Sequence, residues 1–187
     1  MAACVIISGS PYAQGKCARS ARAIAKALGA TSGTTVTLFS IAEMDIHGCI
    51  GCDTCKDTGT CIYEDDEVKV HAAIDGADLV VIISPIYFAG VPSQLKALLD
   101  RFQPYFWKRQ ELIADQQSLP PKRPLILGLV GEGGDPYGTE AAFVTLASPL
   151  ALADLGVVDR FSFIQASETM IVEQLKVSIE KIQGGEA

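Results

Sequence analysis

Apolar residues in this chain come in short bursts separated by amphipathic stretches. Residues 3–8 are a continuous apolar run and read as a buried strand. Residues 16–28 are Ala-rich and helical, closed by Gly29. Residues 35–39 alternate and are β-branched, which predicts a second strand. A helix follows over 67–74, and then the strongest strand signal of the chain over 78–84. Over 92–102, Leu95, Leu98, Leu99 and Phe102 fall at helical spacing. The pattern then predicts a strand over 125–130, a helix over 139–154 kinked or broken at Pro149, a strand over 157–164 and a helix over 168–182.

Five apolar strands alternating with five helices imply an α/β fold with a parallel sheet, helices on both faces and right-handed crossovers. Ligands of such sheets sit beyond the carboxyl ends of the strands, where the strand order reverses. The chain reads as a single domain over 1–187 with a Cys-rich insertion at about 43–66. Two segments resist the simple alternation. One is 40–66, which carries that insertion; the other is 105–123, amphipathic at first and then Pro-rich. Long irregular segments in a small domain tend to carry function.

Composition narrows the classes. Lys and Arg number 15 against 22 Asp and Glu, a net charge of −7, which argues against nucleic acid as a partner. With 49% hydrophobic and 20% charged residues the chain is not of the disordered type. Its purest apolar run, 79–83, is far short of the roughly 20 residues of a membrane span, so no membrane partner is expected. No basic residue precedes Lys16, so no secretory signal is read and a cytoplasmic location is expected.

Three loops at strand ends carry candidate chemistry. After the first strand comes Ser8-Gly9-Ser10-Pro11-Tyr12-Ala13-Gln14-Gly15-Lys16-Cys17, running directly into a helix. Small and hydroxyl residues at a helix N-terminus can cradle an anion, with Ser10, Lys16 and Arg19 as added donors. The run matches neither the dinucleotide fingerprint nor the P-loop, and an ordinary capped turn would look the same. After the third strand, Pro85, Ile86, Tyr87, Phe88 and Gly90 form a rigid, partly apolar rim suited to a planar ring, or else a lid on the core. After the fourth, Gly131, Gly133, Gly134 and Gly138 allow close backbone approach, or simply a mobile loop. Together they describe a mononucleotide with a flat ring system.

The run from Ser84 through Pro92, followed by Leu95-Lys96-Ala97-Leu98-Leu99-Asp100-Arg101, resembles the NADPH-dependent FMN reductase family, and Gly9-Ser10-Pro11 resembles its phosphate loop. The resemblance implies a flavodoxin-like three-layer sandwich with strand order 2-1-3-4-5. It implies FMN as cofactor. Ser10, Tyr12, Gln14, Lys16 and Cys17 would lie at the phosphate, Pro85, Ile86, Tyr87, Phe88 and Gly90 along the isoalloxazine, and Gly131, Gly133 and Gly134 at its other edge. Where the family carries Arg after Ser-Pro and Asn-Thr further on, this chain has Tyr12, Lys16 and Cys17. A thiol so placed, beside a cation at a helix start, is expected to titrate below a free cysteine unless it is buried. Asp100 and Arg101 read as a structural cap or pair.

Cys49, Cys52, Cys55 and Cys61 follow C-x2-C-x2-C-x5-C. Three thiols at three-residue spacing can wrap one face of a cubane and a fourth can close it, as in the related ferredoxin run. Glycines at 48, 51 and 59 would let N–H groups approach the sulfurs. Tetrahedral zinc and a metal-free thiol contact between subunits stay open beside a [4Fe–4S] cluster. The segment from Cys49 to Asp66 is similar to the iron-sulfur flavoprotein branch. His47 reads as solvent-facing, Asp65 and Asp66 as helix caps, and Cys4 as inert core.

The resulting expectation is a flavin-dependent oxidoreductase that takes hydride from NAD(P)H as cosubstrate and passes electrons to a quinone, a flavin or a carrier, with no side-chain acid or base required. The rivals are an electron carrier without its own substrate and a regulatory protein that has lost its cofactor. The resemblance, the apolar composition and the Trp107 region lead to the expectation of a homodimer or homotetramer.

Overall fold

The computed structural model describes residues 3–30 and 33–185. Its sheet has five parallel strands in the order β2-β1-β3-β4-β5, with β1 Ala3–Ser8, β2 Thr35–Ser40, β3 Leu79–Pro85, β4 Arg123–Gly131 and β5 Leu155–Ile164. This is the flavodoxin-like order, and the chain reverses direction across the sheet between β1 and β3.

The alternation along each strand separates two cores. Val5, Ile7, Val80, Ile82, Leu125 and Leu127 point to the face covered by α3 (Glu67–Asp75), α4 (Ser93–Asp100) and α6 (Glu140–Leu152). Cys4, Ile6, Leu79, Val81, Ile83 and Ile126 point to the face covered by α1 (Lys16–Gly29) and α7 (Glu168–Gly184). Burial on both faces explains why β1 and β3 read as unbroken apolar runs. On the edge strand β5 exposure alternates, and a register shift between Leu125 and Ile126 sets Val158 apart as a bulge.

Two helices lie where the pattern is irregular. A short α2 (Thr54–Thr58) sits inside the Cys insertion, and α5 (Gln103–Ala114) opens the 105–123 segment. The helical run over 92–102 ends at Asp100, and the chain re-initiates with Pro104 in the first turn of α5, where a missing N–H costs nothing. The amphipathic start read at 105 is this helix, although it carries no buried residue. Pro149 does not break α6, which continues to Leu152. The strand order and parallel pairing match the expectation from sequence. No described helix is long and apolar enough to cross a membrane.

Candidate active site and cysteine cavity

Because β1, β3 and β4 are adjacent and parallel, the three candidate loops emerge side by side at one sheet edge. Backbone bonds lash them together. Gly9 N donates to Ile83 O at 2.8 Å, Ile86 N to Val130 O at 2.9 Å, and Gln165 N to Gly131 O at 2.8 Å. A Cβ on Gly9 would stand 2.5 Å from Leu95 Cδ2, so only glycine lets the first loop lie this close to α4.

The first loop folds on itself. Ser10 is buried, and its Oγ accepts from Tyr12 N at 3.1 Å. Gly15 N donates to Tyr12 O at 2.9 Å. Arg22 takes the Ala13 carbonyl at 2.9 Å, and Arg19 takes that of Gln14. α1 then starts at Gly15 with no side-chain cap and no acidic residue in its first turn. Its leading N–H groups and positive dipole end are left for an anion. Lys16 turns elsewhere: Nζ donates to Ala166 O at 3.0 Å and stands 3.6 Å from Glu132. Arg19 pairs with Glu168 at 2.7 Å. These two cations tie the phosphate-type loop to the β4 and β5 loops.

Cys17 corrects the expectation of a lowered pKa. Its side chain is buried in the α1–α7 core, and burial pushes the thiol up to about 12, against which its backbone hydrogen bond and Lys16 do little. The helix turns the residue inward, so the core sets its titration rather than the dipole. Cys4, buried in β1, is likewise pushed up to about 12.

The second loop is a tight turn. Tyr87 N and Gly90 O bond at 3.0 Å, as do Gly90 N and Tyr87 O, with Phe88 and Ala89 between them at φ 51° and 58°. Two consecutive non-glycine residues in the left-handed region cost about 1–2 kcal/mol each. Phe88 gains nothing from burial in return, being 99% exposed. Such strain collects at functional positions. Phe88→Asn should therefore stabilise the metal- and flavin-free chain by about 1 kcal/mol, raising its thermal midpoint, while weakening flavin binding; thermal melts with and without FMN check both halves.

Ile86 and Phe88, the loop residues Gly131, Gly133 and Gly134, and Ile164 at the end of β5 line a cavity of about 520 Å³. That is within the usual volume for a small-molecule ligand. Pro85, Tyr87 and Gly90 flank it in the same turn. Gly133 and Gly134 hold φ of 83° and 86°, so the third loop needs glycine there. Among the described residues, none from the first loop lines this cavity. Lys16, 3.6 Å from the lining Glu132, is the link between it and the uncapped helix start. A phosphate at the helix start and a flat ring in the cavity would sit on neighbouring loops, and the residues fit FMN in that sense.

The four thiols of Cys49, Cys52, Cys55 and Cys61 line one separate cavity of about 250 Å³, together with Tyr63 and Arg101. Cys55 is pushed up by burial, with the neighbouring Cys61, Cys49 and Cys52 adding to it. Gly51 N donates to Cys49 Sγ at 3.4 Å, and Gly51 sits at φ 67° to do so. Among the described residues no three Cys, His, Asp or Glu side chains close to the spacing of a single metal ion. The four thiols share the lining of this one cavity, a donor set of the kind that holds an iron-sulfur group. Cys52 is exposed, and hydrogen bonds from the Thr54 side chain and backbone pull its thiol below the ordinary value. In the metal-free chain iodoacetamide should therefore modify Cys52 first, and Cys4 and Cys17 only after unfolding. Peptide mass mapping over time checks the order.

The insertion is held by residues the sequence reading treated as caps. Arg101 is fully buried at the end of α4 and donates to His47 O at 2.9 Å, Asp65 Oδ2 at 2.8 Å, Tyr63 O at 3.4 Å and Glu67 Oε2 at 3.2 Å. It thus grips the chain on both sides of the cysteine run. Asp100 pairs instead with Lys96. Asp65 also accepts from His47 N at 2.9 Å and Glu67 N at 3.1 Å. Burial alone would push its carboxyl up, but Arg101 and these N–H groups outweigh that and hold it at about 2. Asp66, at the helix N-cap, spends its side chain on Asp45 N and Lys69. His47 is half exposed and stacks on Tyr63 at 4.7 Å. Trp107, half-buried, packs against Lys56 of the insertion, whose Nζ lies 4.9 Å from the ring centroid.

The family model of the NADPH-dependent FMN reductases matches residues 3–163. The chain belongs to this family. Relatives include an iron-sulfur flavoprotein of Methanocaldococcus jannaschii, 38% identical over 98 residues, covering 52% of this chain and 50% of the relative. Another, from Archaeoglobus fulgidus, is 34% identical over 99 residues, covering 53% and 44%. The chain thus spans about half the length of these relatives. Among solved structures, an NADH:FMN oxidoreductase in apo form superposes with a TM-score of 0.63 at 18% identity, over 100% of this chain and 91% of the other. A flavone reductase gives 0.57 at 17%, over 94% and 58%. At these identities the structural likeness shows the shared fold.

Proposed function

We propose that this FMN reductase family member is a flavin-dependent oxidoreductase that takes reducing equivalents from NADH or NADPH and delivers them to a quinone, a flavin or a protein carrier. The observation that carries the reading is the convergence of an uncapped helix start, a strained exposed aromatic turn and a glycine-rich loop at one sheet edge. Ser10, Tyr12, Gln14 and the first turn of α1 would hold the FMN phosphate. Pro85, Ile86, Tyr87, Phe88 and Gly90 would line the ring, and Gly131, Gly133 and Gly134 its other edge. FMN, when bound, supplies hydride acceptance and electron release. The chain's residues bind and orient: Phe88 and Tyr87 offer flat apolar surface, while the glycines admit backbone donors to the ring edge. Tyr12, Tyr87, Phe88 and Tyr137 expose a cluster of aromatic surface near this edge, which supports a homodimer or homotetramer completing the site.

In the second cavity Cys49, Cys52, Cys55 and Cys61 would hold a [4Fe–4S] cluster, as the names of the relatives suggest. Cys49 and Cys52 lie at the surface, so an electron could leave there to a partner protein. That exposure favours a second reading, an electron carrier with no small-molecule substrate. Anaerobic mixing of the FMN-loaded chain with NADH or NADPH separates them. Bleaching of the flavin band within the mixing experiment supports the reductase. A flavin that is bleached by dithionite but untouched by both nucleotides supports the carrier.

A further inference from the structure

Arg101 is the one fully buried arginine among the described residues, and it lines the cysteine cavity. Four of its contacts are accounted for by His47 O, Asp65, Tyr63 O and Glu67. Its Nε is buried and has no hydrogen-bond partner. A donor so placed is costly unless it meets an acceptor. Its guanidinium lies 5.1 Å from the Tyr63 ring centroid. The surrounding charges are known. Asp65 and Glu67 oppose it directly, His71 bonds Glu67 through Nδ1 at 2.8 Å, and His47 stands 3.3 Å from Asp65. The two carboxylates anchor the cation through its terminal nitrogens, which leaves Nε–H as its uncommitted donor in a side chain that lines the cavity of the four thiols.

We propose that Arg101 is a positioning residue that sets the reduction potential of the iron-sulfur group in the cysteine cavity, through its buried positive charge and its uncommitted Nε–H. This rests on the cluster reading given above. Taking one electron, from dithionite or from the reduced flavin, adds one negative charge to the cavity and no proton. A fixed cation beside it stabilises the reduced form and raises the potential. The same side chain grips both flanks of the cysteine run, so it also preforms the site.

The test uses the full chain purified without oxygen. Iron is assayed, and the midpoint potential is read by dithionite titration followed by electron paramagnetic resonance. Arg101→Gln is expected to shift the one-electron equilibrium about tenfold toward the oxidised form, a fall of about 59 mV. Arg101→Lys, which keeps the charge but loses the fork, should fall less. Glu67→Gln leaves Arg101 in place and removes an opposing charge, so its potential should rise. Should Arg101→Gln lose its iron, Arg101→Lys decides the matter, with a potential below wild type expected and an unmoved one overturning the proposal. A potential unmoved in every variant that retains iron makes Arg101 a structural clamp only and overturns the proposal. Wild-type protein without iron overturns the cluster reading itself, and the proposal with it, before any variant is made.

Discussion

Asp65→Ala should destabilise the chain by about 3 kcal/mol, in the range for breaking a buried ion pair by removing one partner. Arg101 has a fully buried side chain and Asp65 is 6% exposed, so the pair lies largely out of water. Glu67 would remain as the sole anion on Arg101, and the N–H groups of His47 and Glu67 would lose their acceptor. Urea unfolding monitored by far-ultraviolet dichroism should show a lower midpoint at unchanged slope. The pH dependence fixes the cause. The folded carboxyl titrates at about 2, below its ordinary value of 3.8. Its contribution is therefore complete above the ordinary value and is lost as pH falls through the folded one. The gap between wild type and Asp65→Ala should be widest near neutrality and close in strong acid. A gap that does not narrow would assign the loss to packing, not to the ion pair.

Gln14→Glu should separate ligand binding from stability. Gln14 is exposed and lies just before the N-cap Gly15 of α1. A carboxylate there faces the helix dipole favourably, worth about 0.3–1 kcal/mol to the apoprotein. To the phosphate of FMN it is a like charge in the cradle, and the loss of a charged contact is worth about 1.5–3 kcal/mol, roughly ten- to a hundredfold in affinity. Melting temperature should hold or rise while the dissociation constant, read by quenching of flavin fluorescence, increases. An unchanged constant would move the phosphate away from this loop.

The layout of the sheet was legible because β1 and β3 are buried on both faces, which forces unbroken apolar runs such as Val80 to Ile83. The loops were legible as well, since glycines and prolines mark the strand ends. What escaped was tertiary. The amphipathic start of 105–123 was legible, but α5 buries no residue, and the helix was not assigned from it. Cys17 stands beside Lys16 at a helix start, a sequence that signals a thiolate, yet the turn of the helix takes its side chain into the core. Lys16 and Arg19 read as phosphate donors, and no local pattern announces the bonds they also make about 150 residues away, to Ala166 and Glu168. Arg101 meets its partners across 34 to 54 residues, and no local pattern announces that it binds the cysteine insertion. Gly51, by contrast, was placed correctly against a sulfur, because a two-residue contact is local.

FMN at the β1–β3–β4 edge and an iron-sulfur cluster in the cysteine cavity are expected together in this chain. Anaerobic purification followed by acid release, with the flavin identified by chromatography and iron assayed per chain, addresses both together. FMN, not FAD, and about four irons per chain are expected, with Cys55→Ala losing the iron. Release of FAD, or a chain that takes up neither FMN nor iron under reconstitution with excess of both, would contradict it.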